Sequence, residues 1–388
     1  MNFAFNADQD LLRDSAVRLL RDRVQLGKIT DQGNRPDTTY DPALWREMVS
    51  MGWSSLLVPE QYGGLGLSLV DWVVITEEIG RTLAPCPYLG NYAGTLALLA
   101  AGSEEQKQTL LPAVVSGTAQ LALAWNEQEK GADHHMVAVR FDGATLSGKK
   151  RYVLDADTAT HFVVSARNKN SEITFYLVPR NQAGVHIDVL PWMDVTRRVC
   201  NVHFDSALAE TMPTPFATAW PSIKDGVLFA LASENAGGAD EILRKTVSYA
   251  NERKQFGRPI ASFQAIKHKC ADMMMKVESA KALTYYAAWA LEANVLGEGS
   301  NTKTNDGPLA VAMASSYAAD AYKVCTAEAI QVHGAIGFTW HMPIHLYYKR
   351  ARANAVMFGT SAQQRERVIQ LVTKAPHRVA AEHSGRLK

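Results

Sequence analysis

Between Asp8 and about Gly117 apolar residues recur at steps of three and four, as in Leu11, Leu12, Val17, Leu19 and Leu20, and again from Trp72 to Ile79. That is the period of helices with one buried face. Residues 58–68 are punctuated by Pro and Gly and read as a loop, whereas Ser103 followed by Glu104 and Glu105 reads as a capped helix start. From about Thr118 to Phe216 the pattern shortens to β-rich runs such as HFVVSAR, ITFYLVP and RVCNVHF, broken by Gly, Asn and Asp. Residues 211–221 are Pro-rich and read as a linker. Helical periods return over 224–252, 263–296, 308–332 and 344–374, which predicts an antiparallel four-helix bundle. The polar, Gly-rich stretch 297–308 reads as a solvated loop, and the Met- and aromatic-rich stripe 273–289 as bundle core. The expected fold class is therefore multidomain α+β: an all-α domain at 1–117, a β domain at 118–217 and a four-helix bundle domain at 218–388.

Composition narrows the function. With 40 Lys plus Arg against 39 Asp plus Glu, no overall field favours nucleic acid or an acidic membrane. The four cysteines, Cys86, Cys200, Cys270 and Cys325, form no C-x-x-C pair, which argues against a zinc ribbon and a disulfide scaffold and for a reducing compartment. The start MNFAFNADQDLLRD lacks a basic segment followed by an apolar one, and no run of 18 apolar residues occurs, so a cytoplasmic protein without membrane insertion is expected. His134, His135 and His268 near Cys270 lack a convincing set of further ligands, and no metal is expected.

Several segments on this frame resemble the acyl-CoA dehydrogenase family, in family order and across nearly the whole chain. ERKQFGRPIASFQAIKHKCADM at 252–273 is similar to the family's R-x-x-F-G followed by F-Q-A-I and a helix, and QVHGAIGFTW at 331–340 to its Q-x-x-G-G-x-G-[FY] turn. PEQYGGLGLS with EEIGR, and WNEQEKGAD, support them. The resemblance implies FAD. A pyrophosphate dianion needs a guanidinium and backbone N–H groups at a Gly turn, which Arg253 and Gly334 would supply. It further implies that Arg253, Phe256 and Gln264 of one chain and Gln331 and Gly334 of another converge on one cofactor, and hence an oligomer, usually two dimers. His333, in the same turn, is open to either a cofactor contact or a structural hydrogen bond.

For the isoalloxazine ring the resemblance points to a loop of Asn126, Glu127, Gln128, Gly131, Ala132 and Asp133 and a strand of Tyr152, Val153 and Leu154. Hydroxyls of the family pattern are replaced here by the Asn126 amide, Ala132 and Leu154, and the second Gly of the pyrophosphate turn by Ala335. Thr360, in VMFGTSAQQR, completes the cofactor-binding set.

Dehydrogenation of a saturated thioester needs a carboxylate to remove the α proton while the β hydride leaves to the flavin, and an apolar site should raise that carboxylate's pKa. The family places this Glu just before G-T-S, where this chain has Phe358, or on the first bundle helix, where it has Val227. Glu234 lies seven residues past Val227, on the same helix face and among small apolar neighbours, and is the expected base. An alternative is that it sits in a hydrogen-bond network or pairs with an Arg. Leu228 also replaces an Arg that the family carries.

The leading expectation is FAD-dependent α,β-dehydrogenation of an acyl-CoA to the trans-2-enoyl-CoA, with electrons passing to an electron-transfer flavoprotein, in a homotetramer or with a second dehydrogenase subunit. A non-catalytic partner subunit of a heteromeric dehydrogenase is the alternative, favoured by the missing base positions. A flavin monooxygenase or nitroalkane oxidase on the same fold is a third, which Phe358 does not support.

Overall fold

The computed structural model describes residues 5–32, 40–129, 135–295 and 306–373. Gly131, Ala132 and Asp133 of the expected flavin loop lie outside the described residues, as do His134 and most of the stretch 297–308.

The chain begins with helices α1 (Ala7–Arg23), α2 (Leu26–Gln32), α3 (Pro42–Ser50), α4 (Leu69–Thr82), α5 (Tyr88–Ala101) and α6 (Glu104–Val115). The starts of α4 and α6 are set by reciprocal caps, Ser68 with Asp71 and Ser103 with Gln106, each satisfying otherwise orphaned N–H groups. A β domain follows, with β1 (Leu121–Ala124), β2 (Arg140–Phe141), β3 (Thr145–Leu154), β4 (His161–Arg167), β5 (Ile173–Pro179), β6 (Val185–Val189), β7 (Val199–Leu208) and β8 (Glu210–Thr211). They form one sheet in the order β6-β7-β3-β2-β4-β5-β8, with β1 paired in parallel to β4.

The last third holds α7 (Phe216–Glu252), a ribbon of β9 (Lys254–Gln255) and β10 (Arg258–Pro259), then α8 (Gln264–Val295), α9 (Gly307–His333), α10 (Ile344–Asn354) and α11 (Ser361–Thr373). Phe256 and Gly257 join the ribbon with φ of 54° and 78°, both in the left-handed region that a two-residue hairpin turn requires.

Three expectations change. The helix α7 starts at Phe216, inside the expected linker, and Pro221 lies within it. The expected helix 344–374 is broken into α10 and α11, because Phe358 and Gly359 take φ of 55° and 112°, which no right-handed helix accommodates. Within the expected core stripe Met273 is buried, but Met274, Met275 and Trp289 are exposed.

The long helix α7 touches every layer. It crosses α4 so closely that a Cβ on Gly80 would lie 2.1 Å from the Glu234 carbonyl oxygen, and one on Gly237 would lie 2.0 Å from that of Glu77. Only glycine fits at either position. This crossing sets the depth of Glu234.

Candidate functional site: two half-sites and a buried ion network

Where the β domain meets the loop before α11, a cavity of about 300 Å³ is lined by Trp125, Asn126, Glu129, Tyr152, Leu154, Trp192, Val356, Met357 and Phe358. Its floor is held by a fully buried lysine. The Lys150 ammonium donates to Glu127 Oε1 at 2.6 Å, to the Trp125 carbonyl at 3.2 Å and to Ser165 Oγ at 3.0 Å. Glu127 in turn accepts from the N–H groups of Ala138 and Val139, tying the 125–129 segment to the sheet. Burial pulls the Lys150 pKa down to about 8 against the opposing pull of Glu127.

The cavity has flat aromatic walls. Trp125 lies 5.1 Å from Phe358 and 5.0 Å from Trp220, and Tyr152 lies 5.7 Å from Trp192, measured between ring centroids. A register shift in β3 between Lys150 and Val153 gives Tyr152 a φ of 57°, half-exposing its ring at the mouth. Asn126 Oδ1 and Trp192 Nε1 are buried with no hydrogen-bond partner among the described residues, an acceptor and a donor both left open. The Val153 side chain is buried in the β core, so only its backbone is available to a ligand. Thr360 is exposed and exchanges hydrogen bonds with Gln363 at the start of α11.

A second cavity, of about 610 Å³, is lined by Tyr249, Arg253, Phe256, Phe263, His333 and Gly334 among others. Arg253 and Gln331 are exposed, Phe256 is 91% exposed, and Gln264 is exposed beside the lining residue Ala265. Gly334 ends α9 with a φ of 66°. His333 stacks on Tyr249 at 4.2 Å and pairs its Nδ1 with the Ala329 carbonyl at 2.7 Å. That bond makes Nδ1 the donor, and Nε2 is left without a partner among the described residues. Burial lowers the His333 pKa, so the ring is neutral at neutral pH.

The expected division of these residues is corrected here. Arg253 and Phe256 share one cavity of a single chain with Gly334, because α8 and α9 run out and back and return the end of α9 to the end of α7. The separation lies elsewhere, between the two cavities. Trp220, against the first, and Tyr249, in the second, sit on the same helix about 40–45 Å apart at 1.5 Å rise per residue.

Behind the first cavity lies a buried ion network. Arg197 Nη2 donates to both Glu234 carboxylate oxygens, at 2.6 and 2.5 Å, and Arg350 Nη1 donates to Glu234 Oε1. Arg350 also pairs with Asp194 and donates to the Thr196 carbonyl at 2.9 Å. Arg197 Nη1 donates to Asn354 Oδ1 at 2.6 Å and lies 3.7 Å from Met357 Sδ on the cavity wall. Burial alone would raise the Glu234 pKa, but Arg197 and Arg350 together hold it below the usual carboxylate range. The expected unpaired, desolvated base is thus overturned: Glu234 is 2% exposed and clamped by two guanidiniums. Nearby Asp155 accepts from the Gly90 N–H at 3.2 Å, and burial pushes its carboxyl up to about 7, with Arg197 pulling the other way.

A profile of the acyl-CoA dehydrogenase N-terminal domain matches residues 6–118, and one of the acyl-CoA dehydrogenase C-terminal domain matches residues 229–372. Acyl-CoA dehydrogenase IpdE2 of Mycobacterium tuberculosis is 31% identical over 375 residues, which is 95% of this chain and 98% of that protein. The chain belongs to the acyl-CoA dehydrogenase family. IpdE2 of Mycolicibacterium smegmatis is 30% identical, over 93% of this chain and 97% of its own length. Among solved structures, the Tcur3481-Tcur3483 steroid ACAD superimposes with a TM-score of 0.83 at 28% identity, covering 95% of this chain and 98% of that one.

Acyl-CoA dehydrogenases are oxidoreductases, and FAD is their cofactor. The residues present fit it. The first cavity offers aromatic walls with one open acceptor and one open donor, which suits a flavin ring carrying an N–H and carbonyls. The second offers a guanidinium, an exposed phenyl face and a glycine turn, which suits a pyrophosphate and an adenine. Sequence reasoning missed Trp125, Trp192, Arg197 and Arg350. The tandem Arg197–Arg198 and the basic run from Lys349 to Arg352 were the available signals. No described helix is long and apolar enough to cross a membrane.

Proposed function

We propose that this chain is a subunit of an acyl-CoA dehydrogenase assembly that converts an acyl-CoA to its trans-2-enoyl-CoA, and that the α-proton acceptor comes from a second dehydrogenase subunit. One observation carries this reading. Among the described residues the only carboxylate lining the flavin cavity is Glu129, whose side chain is 71% exposed and paired with Arg151 at 2.9 Å, while Glu234 is locked behind the wall. Phe358, at the position expected for a base, instead packs on Trp125.

Bound FAD supplies the hydride acceptor. Asn126 Oδ1 would offer an acceptor and Trp192 Nε1 a donor to the flavin ring, while Trp125, Leu154 and Phe358 would exclude water from it. The Arg197, Glu234 and Arg350 network positions Met357 and Asn354 and thereby holds the wall. Arg253, Phe256, Gln264, Gln331 and Gly334 form a pyrophosphate and adenine half-site for the flavin of a neighbouring subunit. The helix-borne span between the half-sites is far longer than the ribityl chain that joins ring to phosphate, which supports a dimer or tetramer. The free cysteines and balanced charge support a cytoplasmic location, and an electron-transfer flavoprotein is the proposed acceptor.

Native mass spectrometry of the assembly purified from its own cells tests this. A second dehydrogenase chain should accompany this one, with FAD retained. A homo-oligomer of this chain alone that reduces its flavin with acyl-CoA would contradict the heteromeric reading.

A further inference from the structure

A third cavity, apolar and of about 520 Å³, lies between the N-terminal helices and the start of α7. Its walls include Trp53, Trp72, Tyr92, Thr95 and Leu99, with Ser222 at the rim. Protein interiors retain few voids larger than a water molecule, and this volume lies in the range of small-molecule sites, roughly 300–1,000 Å³.

The cavity is separate from the flavin site. At 100° per residue, Pro221, Ser222 and Asp225 lie roughly 150° around α7 from Trp220, Val227 and Glu234. The helix stands between the two spaces. A molecule bound here therefore does not reach the flavin cavity through α7.

The lining defines what it would hold. One wall is an aromatic cluster in which Trp72 lies 4.4 Å from Tyr92 and 5.8 Å from Tyr88. The one acidic residue of the described lining, Asp225, is held by Arg367 at 2.5 and 2.9 Å, so the described residues offer no free charge to a ligand. Trp53 and Thr95 are 1% and 6% exposed, and their Nε1 and Oγ1 atoms have no hydrogen-bond partner among the described residues. An indole N–H can only donate, so what it lacks is an acceptor. Two segments of this chain outside the described residues are poor occupants by composition. Residues 296–305 carry Leu296 as their one large apolar side chain, and 374–388 are dominated by cationic and polar residues.

We propose that this cavity is a ligand site for a neutral, apolar small molecule that presents a carbonyl or hydroxyl oxygen to Trp53 and Thr95. The probe is 6-propionyl-2-dimethylaminonaphthalene, an uncharged aromatic ketone whose emission moves to the blue when it leaves water, titrated into the full-length holoprotein. Saturable blue-shifted binding is expected, about tenfold weaker in Ser222→Trp and Leu99→Trp, which fill the space, and a few-fold weaker in Trp53→Phe, which removes the donor. Saturating acyl-CoA should leave it unchanged. Wild-type affinity in both filling variants, displacement by acyl-CoA, or no saturable binding would overturn the proposal. Should Leu99→Trp fail to fold, Ser222→Trp decides alone, since Ser222 is exposed.

Discussion

Replacing Glu234 by Gln separates a structural carboxylate from a catalytic one by the sign of its effect on stability. In the native protein the Glu234 carboxylate accepts two charge-assisted bonds from Arg197 and one from Arg350, in an interior where all three side chains are 6% exposed or less. Glutamine keeps the shape but leaves two buried guanidiniums with Asp194 as their only remaining ion-pair partner among the described residues. Removing one member of a buried pair costs about 3–5 kcal/mol. With about 2.1 cal/mol/K of unfolding entropy per residue, that corresponds to a midpoint drop of roughly 4–6 °C if the 388 residues unfold together. The pH dependence has a definite sign. The folded pKa of Glu234 is depressed below the ordinary glutamate value of 4.5, so its contribution is fully present above that value and is lost as pH falls through the folded pKa. Thermal melts followed by circular dichroism, at one protein concentration from pH 7 down to 4, would measure the difference between wild type and Glu234→Gln. A constant deficit at neutral pH that shrinks in acid is expected. A variant as stable as wild type at pH 7, or more stable, would refute the reasoning, because that is the behaviour of a desolvated carboxylate with a raised pKa.

Asp155 should behave in the opposite way. Its folded pKa of about 7 lies above the ordinary aspartate value of 3.8, so wild type loses stability relative to Asp155→Asn as pH rises from about 4 to 7 and stays lower beyond, by up to ~4 kcal/mol; a pH-independent difference in melting would count against it. Arg253→Ala and Gly334→Asp should each weaken FAD retention, read by flavin released on dilution, with the melting point of the flavin-free protein unchanged in Arg253→Ala; unchanged affinity in both would remove the pyrophosphate half-site. Mixing Arg253→Ala chains with Asn126→Ala chains should restore FAD to a fraction of the sites if the half-sites meet across subunits, whereas no recovery would contradict that pairing.

The large-scale order was legible because period and composition change abruptly near Thr118 and again near Phe216, and because each helical stretch carries its own cap or breaker. Two residues of the second cavity were legible for the same reason: Arg253 and Gly334 each sit at a local turn whose chemistry is written in adjacent residues. Their meeting in one chain was not, since it depends on the return of α9 along α8. Glu234 failed on the same ground. Its sequence neighbours are small and apolar, but its partners stand 37 and 116 residues away, and helix periodicity carries no information about a loop arginine or a distant helix. The break at Phe358 and Gly359 was masked by helix-forming residues on both sides, and Trp192 by its place in an irregular loop before β7.

Anaerobic mixing of the FAD-loaded chain, free of any second dehydrogenase subunit, with a panel of straight, branched and ring-bearing acyl-CoA thioesters tests the central claim most directly. The account predicts a bound flavin whose visible absorption persists with every thioester and is lost once the partner subunit is restored. Rapid bleaching of the flavin in this chain alone would contradict it and would return the α-proton acceptor to one of its own carboxylates.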